Sequence, residues 1–413
     1  MKAVRALFIV LFNVGMAAPV AASPRAPAAA WPGVSDVLLN VAVAAPVAAS
    51  LRVAVAAWPW DSEQPGSLLV FPKFNKGTVT TANQGKLPRS EFEISVVCPT
   101  ALRPANGDPA CATSGQFVYL HAAWICGGQE SAFPDVCEEK DFVIRTTVNA
   151  SLYFSPTSAA DMVNLGLLAT PVPETALPLC DRGYLVVWVV DVNGNPIKFD
   201  GLIGDAILRT QTAAPVEGFL GSAAAGQYNA IPIQASENLN TYDLLSVDPT
   251  TGAVTFDDNG SGYKGVTGKI FGTVRYPGPT FATATAAAPT GSIKTDLVLL
   301  TLDAKIGHLN PATTVDLNFT NEKEGLNSAS FSFVCWAEEY LDSNPIKMDN
   351  RFGRKGLLYS EPATQSTPTS PITPVTLLGL IETQEFLASD GRVNQYFSLL
   401  SHDDQAVPTT FVP

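Results

Sequence analysis

The residue types that carry most enzyme chemistry are scarce in this sequence, and their spacing matches no catalytic motif. The three histidines form none of the short histidine pairs from which zinc sites are built. No Gly-x-Ser-x-Gly motif is present, and the glycine-rich run at 218–226 lacks the Lys-Ser/Thr pair of a phosphate-binding loop. We therefore expect a protein that is not an enzyme and has no catalytic or cofactor-binding residues. The histidines, the first of which lies in an apolar run and is expected to be structural, are His121, His308 and His402.

Three pairs of adjacent carboxylates are also poor candidates for catalysis. Neighbouring residues of a strand point to opposite faces of a sheet, so the two acids of a pair do not share one site. We expect these side chains to be solvated charges. The pairs are Glu138 with Glu139, Glu338 with Glu339, and Asp403 with Asp404.

Two acidic loops have oxygen-bearing side chains at the spacing of a calcium ligand set. The run at 191–195 fails as a calcium loop, because Pro196 and Leu202 stand where glycine and a bidentate acid are needed. Its Asn-Gly step between two apolar runs predicts a hairpin turn instead. The second loop is a candidate calcium site, and calcium is the only cofactor that the sequence suggests. Its residues are Asp257, Asp258 and Asn259.

Six cysteines favour an oxidising compartment, since disulfides persist in exported proteins and are rare in the cytosol. The sequence alone leaves the connectivity open. We expect two short disulfide loops and one long-range bond, with buried free thiols as the alternative. The expected pairs are Cys98 with Cys111, Cys126 with Cys137, and Cys180 with Cys335.

The N-terminal region has the features of an export signal followed by a duplicated segment. Lys2 and Arg5 precede a short apolar run, which predicts a signal peptide over 1–22. The segment 23–60 is rich in Ala, Val and Pro, and its second half repeats sequence from 27 residues earlier. Apolar residues alternate near its end, which predicts a strand that could add to the sheet of another copy. The residues of this candidate assembly strand are Leu51, Val53, Val55 and Trp58.

Charge and hydropathy exclude several classes of protein. The 25 basic and 38 acidic residues give a net charge of −13, and the four bases and one acid of 1–60 leave 21 − 37 = −16 for the remainder. An acidic body repels phosphate backbones, which argues against nucleic-acid binding. A hydrophobic content of 46% argues against disorder. Polar residues such as Asn40 and Arg52 argue against a membrane span at 37–57, so no transmembrane anchor is expected.

Short runs rich in Val, Ile, Thr and aromatic residues, bounded by Gly, Pro, Asn or Asp, recur from residue 67 onward. This pattern predicts an all-β, disulfide-bonded fold, namely an antiparallel β-sandwich body over 61–413. One large sandwich and two adjacent sandwiches, divided near 225–290, remain open. A few short helices are expected, after Ser158 and over 336–341. The Pro/Ser/Thr-rich stretch 361–374 is expected to be a loop or linker.

Several segments together resemble a known group of sequences. A run SLLVFPKFN at 67–75, a strand ending in Cys98, the run DFVIRTTVNASLYFS at 141–155 and VVDVNGNPIKFDGLIGDAIL at 189–208 follow in this order. They resemble exported bacterial β-proteins whose mature part opens with an LLVFPKF-like strand. The resemblance covers about 67–210. It implies export and a β-sandwich, and it implies no activity.

These observations favour a secreted structural or adhesive surface protein, a filament subunit that assembles with itself by strand addition. An exported module that binds a carbohydrate or another ligand is the alternative, with a glycan as its partner. A secreted hydrolase has the least support, because it rests only on the ability of β folds to host catalysis.

Overall fold

A computed structural model describes residues 62–77, 89–99, 117–128, 134–156, 163–164, 177–211, 223–256, 260–280, 290–303, 305, 308–349, 351–367, 370–387, 393–402, 406–407 and 409–411. These residues all belong to one compact unit. They form 26 strands and no α-helix, so the all-β prediction is confirmed. None of them forms a helix that is long and apolar enough to cross a membrane.

Two five-stranded antiparallel sheets are built from the first half of the described chain. Sheet A has the strand order β10-β1-β7-β3-β4, and sheet B has the order β6-β5-β2-β8-β9. The strands of sheet A are β1 (Leu68–Asn75), β3 (Phe117–Cys126), β4 (Glu138–Thr147), β7 (Arg182–Val190) and β10 (Ile231–Ile233). The strands of sheet B are β2 (Arg89–Val96), β5 (Ser151–Phe154), β6 (Val163–Asn164), β8 (Leu202–Gln211) and β9 (Ala223–Asn229).

Two further antiparallel sheets are built from the second half. Sheet C has β14, β15, β22 and β23 in order, with β18 also paired to β15. Sheet D has the order β21-β20-β16-β19-β13-β24, with β17 on β16. Sheet C consists of β14 (Gly278–Thr280), β15 (Gly291–Leu300), β18 (Trp336–Tyr340), β22 (Leu378–Leu387) and β23 (Val393–Leu399). Sheet D consists of β13 (Ile270–Arg275), β16 (Thr313–Asn321), β17 (Leu326–Phe333), β19 (Lys355–Ser360), β20 (Thr364–Thr367), β21 (Ser370–Pro374) and β24 (Ser401–His402). Two small pairs join β11 (Val254–Phe256) to β26 (Thr409–Phe411) and β12 (Val266–Thr267) to β25 (Ala406–Val407).

The four large sheets are arranged as a four-bladed, propeller-like ring, so the predicted β-sandwich is wrong. In a sandwich each sheet buries one face, and its strands alternate between apolar and polar residues. Strand β1 is instead buried along its whole length, and β7 is buried from Gly183 to Val190. Their unbroken apolar runs indicate a sheet that is covered on both faces.

Strand β15 shows how the sheets share their apolar faces. Val298 and Leu300 belong to a buried cluster with sheets A and B. Leu297 and Leu299, which point the other way, belong to a second cluster with sheet D. Sheet C therefore contributes side chains to two cores at once, and it joins the first half of the chain to the second.

Two local predictions also differ from the structure. Residues 336–340 form strand β18 and not a turn of helix. The stretch 361–374 contains β20 and β21, which pair as a hairpin on the edge of sheet D. The predicted helix after Ser158 falls mostly outside the described residues, and Val163–Asn164 within it forms β6.

The disulfides connect residues that are distant in the sequence. Cys126 is bonded to Cys180, and Cys137 is bonded to Cys335, with Cα–Cα distances of 5.9 and 6.1 Å. The predicted pairs Cys126–Cys137 and Cys180–Cys335 are therefore wrong. Cys126 lies opposite Glu138 on the neighbouring strand, so Cys137, one residue away, points to the other face of the sheet. Cys98 is also disulfide-bonded, and its predicted partner Cys111 lies outside the described residues.

Candidate functional site

The candidate residues that the sequence selected for assembly and for calcium lie outside the described residues. These are the assembly strand of Leu51, Val53, Val55 and Trp58 and the loop of Asp257, Asp258 and Asn259. The signal peptide 1–22 and the segment 23–60 also lie outside. The turn predicted at 191–195 is present, because Asp191 accepts hydrogen bonds from the backbone N–H groups of Asn193 and Asn195, each at 2.8 Å.

A cleft opens where the chain passes between sheets C and D. Strand β23 belongs to sheet C, and β24, which follows it after one residue, belongs to sheet D. Strand β13 pairs with β19 from Phe271 to Arg275, but it pairs with β24 only at Ile270 and Phe271. The strands β13 and β23 therefore diverge beyond Phe271. We call the resulting space the β13–β23 cleft.

The backbone of β13 presents an open edge to this cleft. Tyr276, just after β13, donates its N–H to the carbonyl of Arg354, just before the partner strand β19. In an antiparallel ladder alternate residues bond to the partner strand, so Thr273 and Arg275 direct their N–H and C=O groups away from β19. The Arg275 carbonyl accepts the Thr295 hydroxyl at 2.6 Å. Among the described strands, β19 pairs with one edge of β13 at Thr273, and none pairs with the opposite edge there.

Apolar side chains line the cleft, which has a volume of about 900 Å³. Ile381 and Val274 are buried at its base. Leu357, Tyr396 and Leu326 also line it, with 54%, 50% and 73% of their surface exposed. An open strand edge beside exposed apolar side chains is a template for the pairing of another strand.

Charged groups of both signs surround the rim. Arg275 pairs with Glu385 at 3.3 Å. Glu322 accepts the backbone N–H groups of Arg354 and Lys355, each at a distance of 3.1 to 3.5 Å. These backbone hydrogen bonds, together with that from its own N–H, lower the pKa of Glu322. The rim is therefore polar and satisfied, while the lining of the cleft is apolar.

A second feature is a buried group of charges between sheets A and C. The pairing of β1 with β7 shifts register between Phe71 and Phe74, and Lys73 lies in this irregular stretch. The Lys73 ammonium contacts Glu338 of β18 and Glu382 of β22. The side chains of all three residues are less than 10% exposed. We call these residues, with Asp296 of β15, the Lys73 cluster.

Further polar groups complete the Lys73 cluster. Arg182 binds the second oxygen of Glu338 at 2.8 Å. Lys294 binds Asp296 at 2.8 Å. The Oε1 atom of Glu382 accepts hydrogen bonds from the side-chain amides of Gln384 and Gln395 at 2.6 and 2.7 Å.

Burial and neighbouring charges have opposite effects on the pKa values of Lys73 and Glu338 in this cluster. Burial lowers the pKa of Lys73, but the neighbouring carboxylates outweigh it and hold that pKa above its ordinary value. Burial raises the pKa of Glu338, and the ammonium of Lys73 with the guanidinium of Arg182 brings it below its ordinary value. Burial raises the pKa of Asp296. The carboxylates of Asp296, Glu338 and Glu382 lie within 4.8 Å of one another, and Lys73 supplies the positive charge that a cation would bring to them.

The sequence-based interpretation missed this cluster. Glu338 was expected to be a solvated charge, and it is a buried one. The sequence does contain one indication of these buried charges, because each of two charged residues follows an apolar run. Lys73 follows the apolar run Leu68–Phe71, and Glu382 follows the run 377–381. A charge inside a strand that is buried on both sides of it requires a buried partner.

His121 lies on the face of sheet A, stacked on the Trp188 ring at 4.3 Å. Its Nε2 atom is 3.3 Å from a carboxylate oxygen of Asp141. Glu139 is on the same strand as Asp141, and burial together with the charge of Asp141 raises the pKa of Glu139 to about 7, against the opposing effect of His121. Its Oε2 atom is buried and has no hydrogen-bond partner in the described part of the chain.

The comparisons with known proteins leave the function to be inferred from the residues themselves. The family resemblance suggested by residues 67–210 remains an expectation. Neither the protein-family models nor the curated proteins include a match to this sequence.

Proposed function

We propose that this protein is an exported structural subunit that assembles with copies of itself, and that the β13–β23 cleft accepts a strand from a neighbouring copy. The observation that carries the proposal is the open backbone edge at Thr273, which lies beside exposed apolar side chains. Strand addition uses both, because main-chain hydrogen bonds provide affinity and side-chain pockets select the sequence that is added.

The N-terminal segment of another copy supplies the donor strand. Leu51, Val53 and Val55 alternate with smaller or polar residues, so they would present one apolar face to the lining of the cleft. The segment 23–60 carries two arginines and one aspartate, whereas the chain from residue 61 onward carries a charge of −16. The donor is therefore basic and the acceptor acidic, which favours their encounter.

Directional addition of this kind explains why a filament would form. Each copy has one donor segment and one acceptor cleft, and these are different surfaces. Such head-to-tail contacts produce open polymers unless the rotation between copies closes a ring. The disulfides are compatible with the extracellular location that this role requires.

Two truncated forms test the role of the donor segment. We would express a form that begins at Ser23 and a form that begins at Asp61, and compare them by light scattering and negative-stain microscopy. The longer form should polymerise and the shorter should stay monomeric. Monomers from both forms would eliminate the proposal.

A matched pair of tyrosine variants tests the cleft. Tyr396→Asp places a charge in the lining, whereas Tyr359→Asp places the same charge on a tyrosine of β19 that does not line the cleft. The two tyrosines are 50% and 38% exposed, so neither change should unfold the protein. Only Tyr396→Asp should block polymerisation of the long form. Equal polymerisation by both variants would place the acceptor elsewhere.

Ligand binding is the second candidate function, and a different groove favours it. A groove of about 480 Å³ beside the Asp191 turn is lined by aromatic rings that include Phe117, Tyr119 and Tyr242. Phe117 is 45% exposed, and Tyr242 has a φ of 72°, which is strained backbone for a residue other than glycine. Aromatic rings of this kind can stack on sugars. Retention on immobilised glycans that is lost in Phe117→Ala would support this function.

A further inference from the structure

Lys73 and Glu382 meet in a place where the reaction between an amine and a carboxyl group is favoured by position. The Lys73 Nζ contacts the Oε2 atom of Glu382, and their side chains are 4% and 1% exposed. The two residues come from β1 of sheet A and β22 of sheet C, which lie far apart in the sequence. The folded chain therefore holds a nucleophile against its electrophile and shields both from solvent.

The other oxygen of Glu382 is bound in a manner that would stabilise a tetrahedral intermediate. The side-chain amides of Gln384 and Gln395 both donate to Oε1, at 2.6 and 2.7 Å. Two fixed donors on one carboxyl oxygen stabilise the negative charge that develops there when the carbon is attacked. The contact with Lys73 leaves Oε2 as the oxygen that departs.

Glu338 is placed to move the proton. One of its oxygens contacts the Lys73 Nζ, and the other is held by Arg182 at 2.8 Å. Glu338 is ionised while Lys73 is charged, and once Lys73 is neutral the charge that weakened Glu338 as a base is gone, so its carboxylate can accept a proton from the nitrogen that it contacts. A base in contact with the nucleophile is the third component that amide formation needs.

We propose that Lys73 and Glu382 condense in the folded protein to form an amide bond that links β1 to β22. The Lys73 ammonium first passes a proton to the Glu382 carboxylate, which leaves a neutral amine beside a neutral carboxylic acid. The amine nitrogen then bonds to Cδ of Glu382, and Glu338 takes the proton that the nitrogen loses. Glu338 returns this proton to the departing hydroxyl group, the C–O bond breaks, and one molecule of water leaves.

Position lowers the barrier to this condensation, and the burial of both side chains keeps water away from the amide that forms. Well-oriented groups within one molecule react as though present at about 10⁵–10⁸ M. The carboxylates raise the pKa of Lys73, so the ammonium is the resting form and the reaction is slow. A reaction that occurs once in the life of each molecule tolerates a slow rate.

Mass spectrometry of the full secreted chain tests the proposal directly. After reduction of the disulfides and determination of the N-terminus, the chain should be lighter than its sequence mass by one water molecule. Proteolysis should yield one branched peptide that contains both Lys73 and Glu382. A full sequence mass, with Lys73 recovered in an unmodified linear peptide, would show an ion pair only and would overturn the proposal.

Three variants test the roles of the nucleophile and the base and provide a control. Lys73→Arg should retain the full sequence mass, because a guanidinium does not condense with the carboxyl group. Glu338→Gln should also retain it, since the base is lost while the shape is kept. Lys264→Arg, a change in the ion pair with Glu237 outside the Lys73 cluster, should still lose water. A cross-link that persists in Glu338→Gln would overturn the assignment of the base, and this outcome can be scored even if Lys73→Arg fails to fold.

Discussion

The two long-range disulfides can be compared in one protein, and their loop lengths predict which one stabilises it more. The perturbation is the double replacement Cys126→Ala with Cys180→Ala, or Cys137→Ala with Cys335→Ala. All four cysteines are at most 6% exposed, so the loss of packing is similar in both double variants. The difference between the free energies of unfolding of the two variants therefore depends mainly on the length of the loop that each disulfide closes.

The loops span 54 and 198 residues. Restricting the unfolded chain is expected to stabilise the protein by about 4.2 kcal/mol for the shorter loop and about 5.3 kcal/mol for the longer one. The Cys126–Cys180 bond shortens the path around the longer loop, which reduces the second value by about 0.2 kcal/mol. Removal of Cys137–Cys335 should thus cost about 1 kcal/mol more than removal of Cys126–Cys180 in Lys73→Arg, the background without the Lys73–Glu382 amide, in which the measurement is made.

Urea denaturation followed by tryptophan fluorescence measures both free energies of unfolding. The m value must stay equal among the Lys73→Arg parent and both variants, since a changed m value would show that a denatured state had changed its compactness. An equal or larger cost for the shorter loop would refute the explanation from chain entropy. It would show that the contacts which each bond holds in the native state decide its contribution.

Three further predictions concern stability. Phe92 is fully buried, with its ring centroid 5.1 Å from that of Phe71 and 5.4 Å from that of Trp124. Phe92→Ala should lower the free energy of unfolding, measured by urea denaturation, by about 3–5 kcal/mol. Phe117 is 45% exposed, so Phe117→Ala should lower it far less. In a chain whose Lys73 has not condensed, the pKa of Glu338 is lowered in the fold, so its contribution is present above the ordinary carboxylate range and is lost as pH falls through its folded pKa. In that form Glu338→Gln should flatten the acid limb of a stability–pH curve, and an unchanged acid limb would contradict the burial argument. The pKa of Glu139 is raised to about 7, so the unfolded state ionises first and stability should fall as pH rises from about 4.5 to 7; Glu139→Gln should abolish this fall, and a wild-type curve that rises throughout the interval would show that Glu139 has a charge partner.

The strands were predictable because their local composition determines them. The apolar run at 67–75 contains strand β1, which is found at Leu68–Asn75. The turn after Val190 was expected from its Asn-Gly step. The arrangement of the sheets was not predictable in the same way. A continuous apolar strand shows that both faces are covered, but it does not show which sheet covers each face.

The disulfides and the Lys73 cluster escaped prediction for a related reason. Cys126 and Cys137 are close in the sequence and lie on neighbouring strands, yet they face opposite sides of sheet A. Lys73 finds its two carboxylates on strands of the second half of the chain. Contacts between distant residues depend on the packing of whole sheets, which residue spacing does not encode.

The double-sided burial of β1 has a consequence for how the protein is made. Leu68 and Val70 lie on one face of the sheet, and they belong to the same buried cluster as Val298 and Leu380, whose strands are synthesised much later. Until β15 and β22 have emerged from the ribosome, the nascent first half exposes an apolar sheet surface that is prone to aggregation. The chain therefore cannot mature in the order of its synthesis alone. Its first sheet is shielded from neighbouring chains only when the strands of the second half have packed against it.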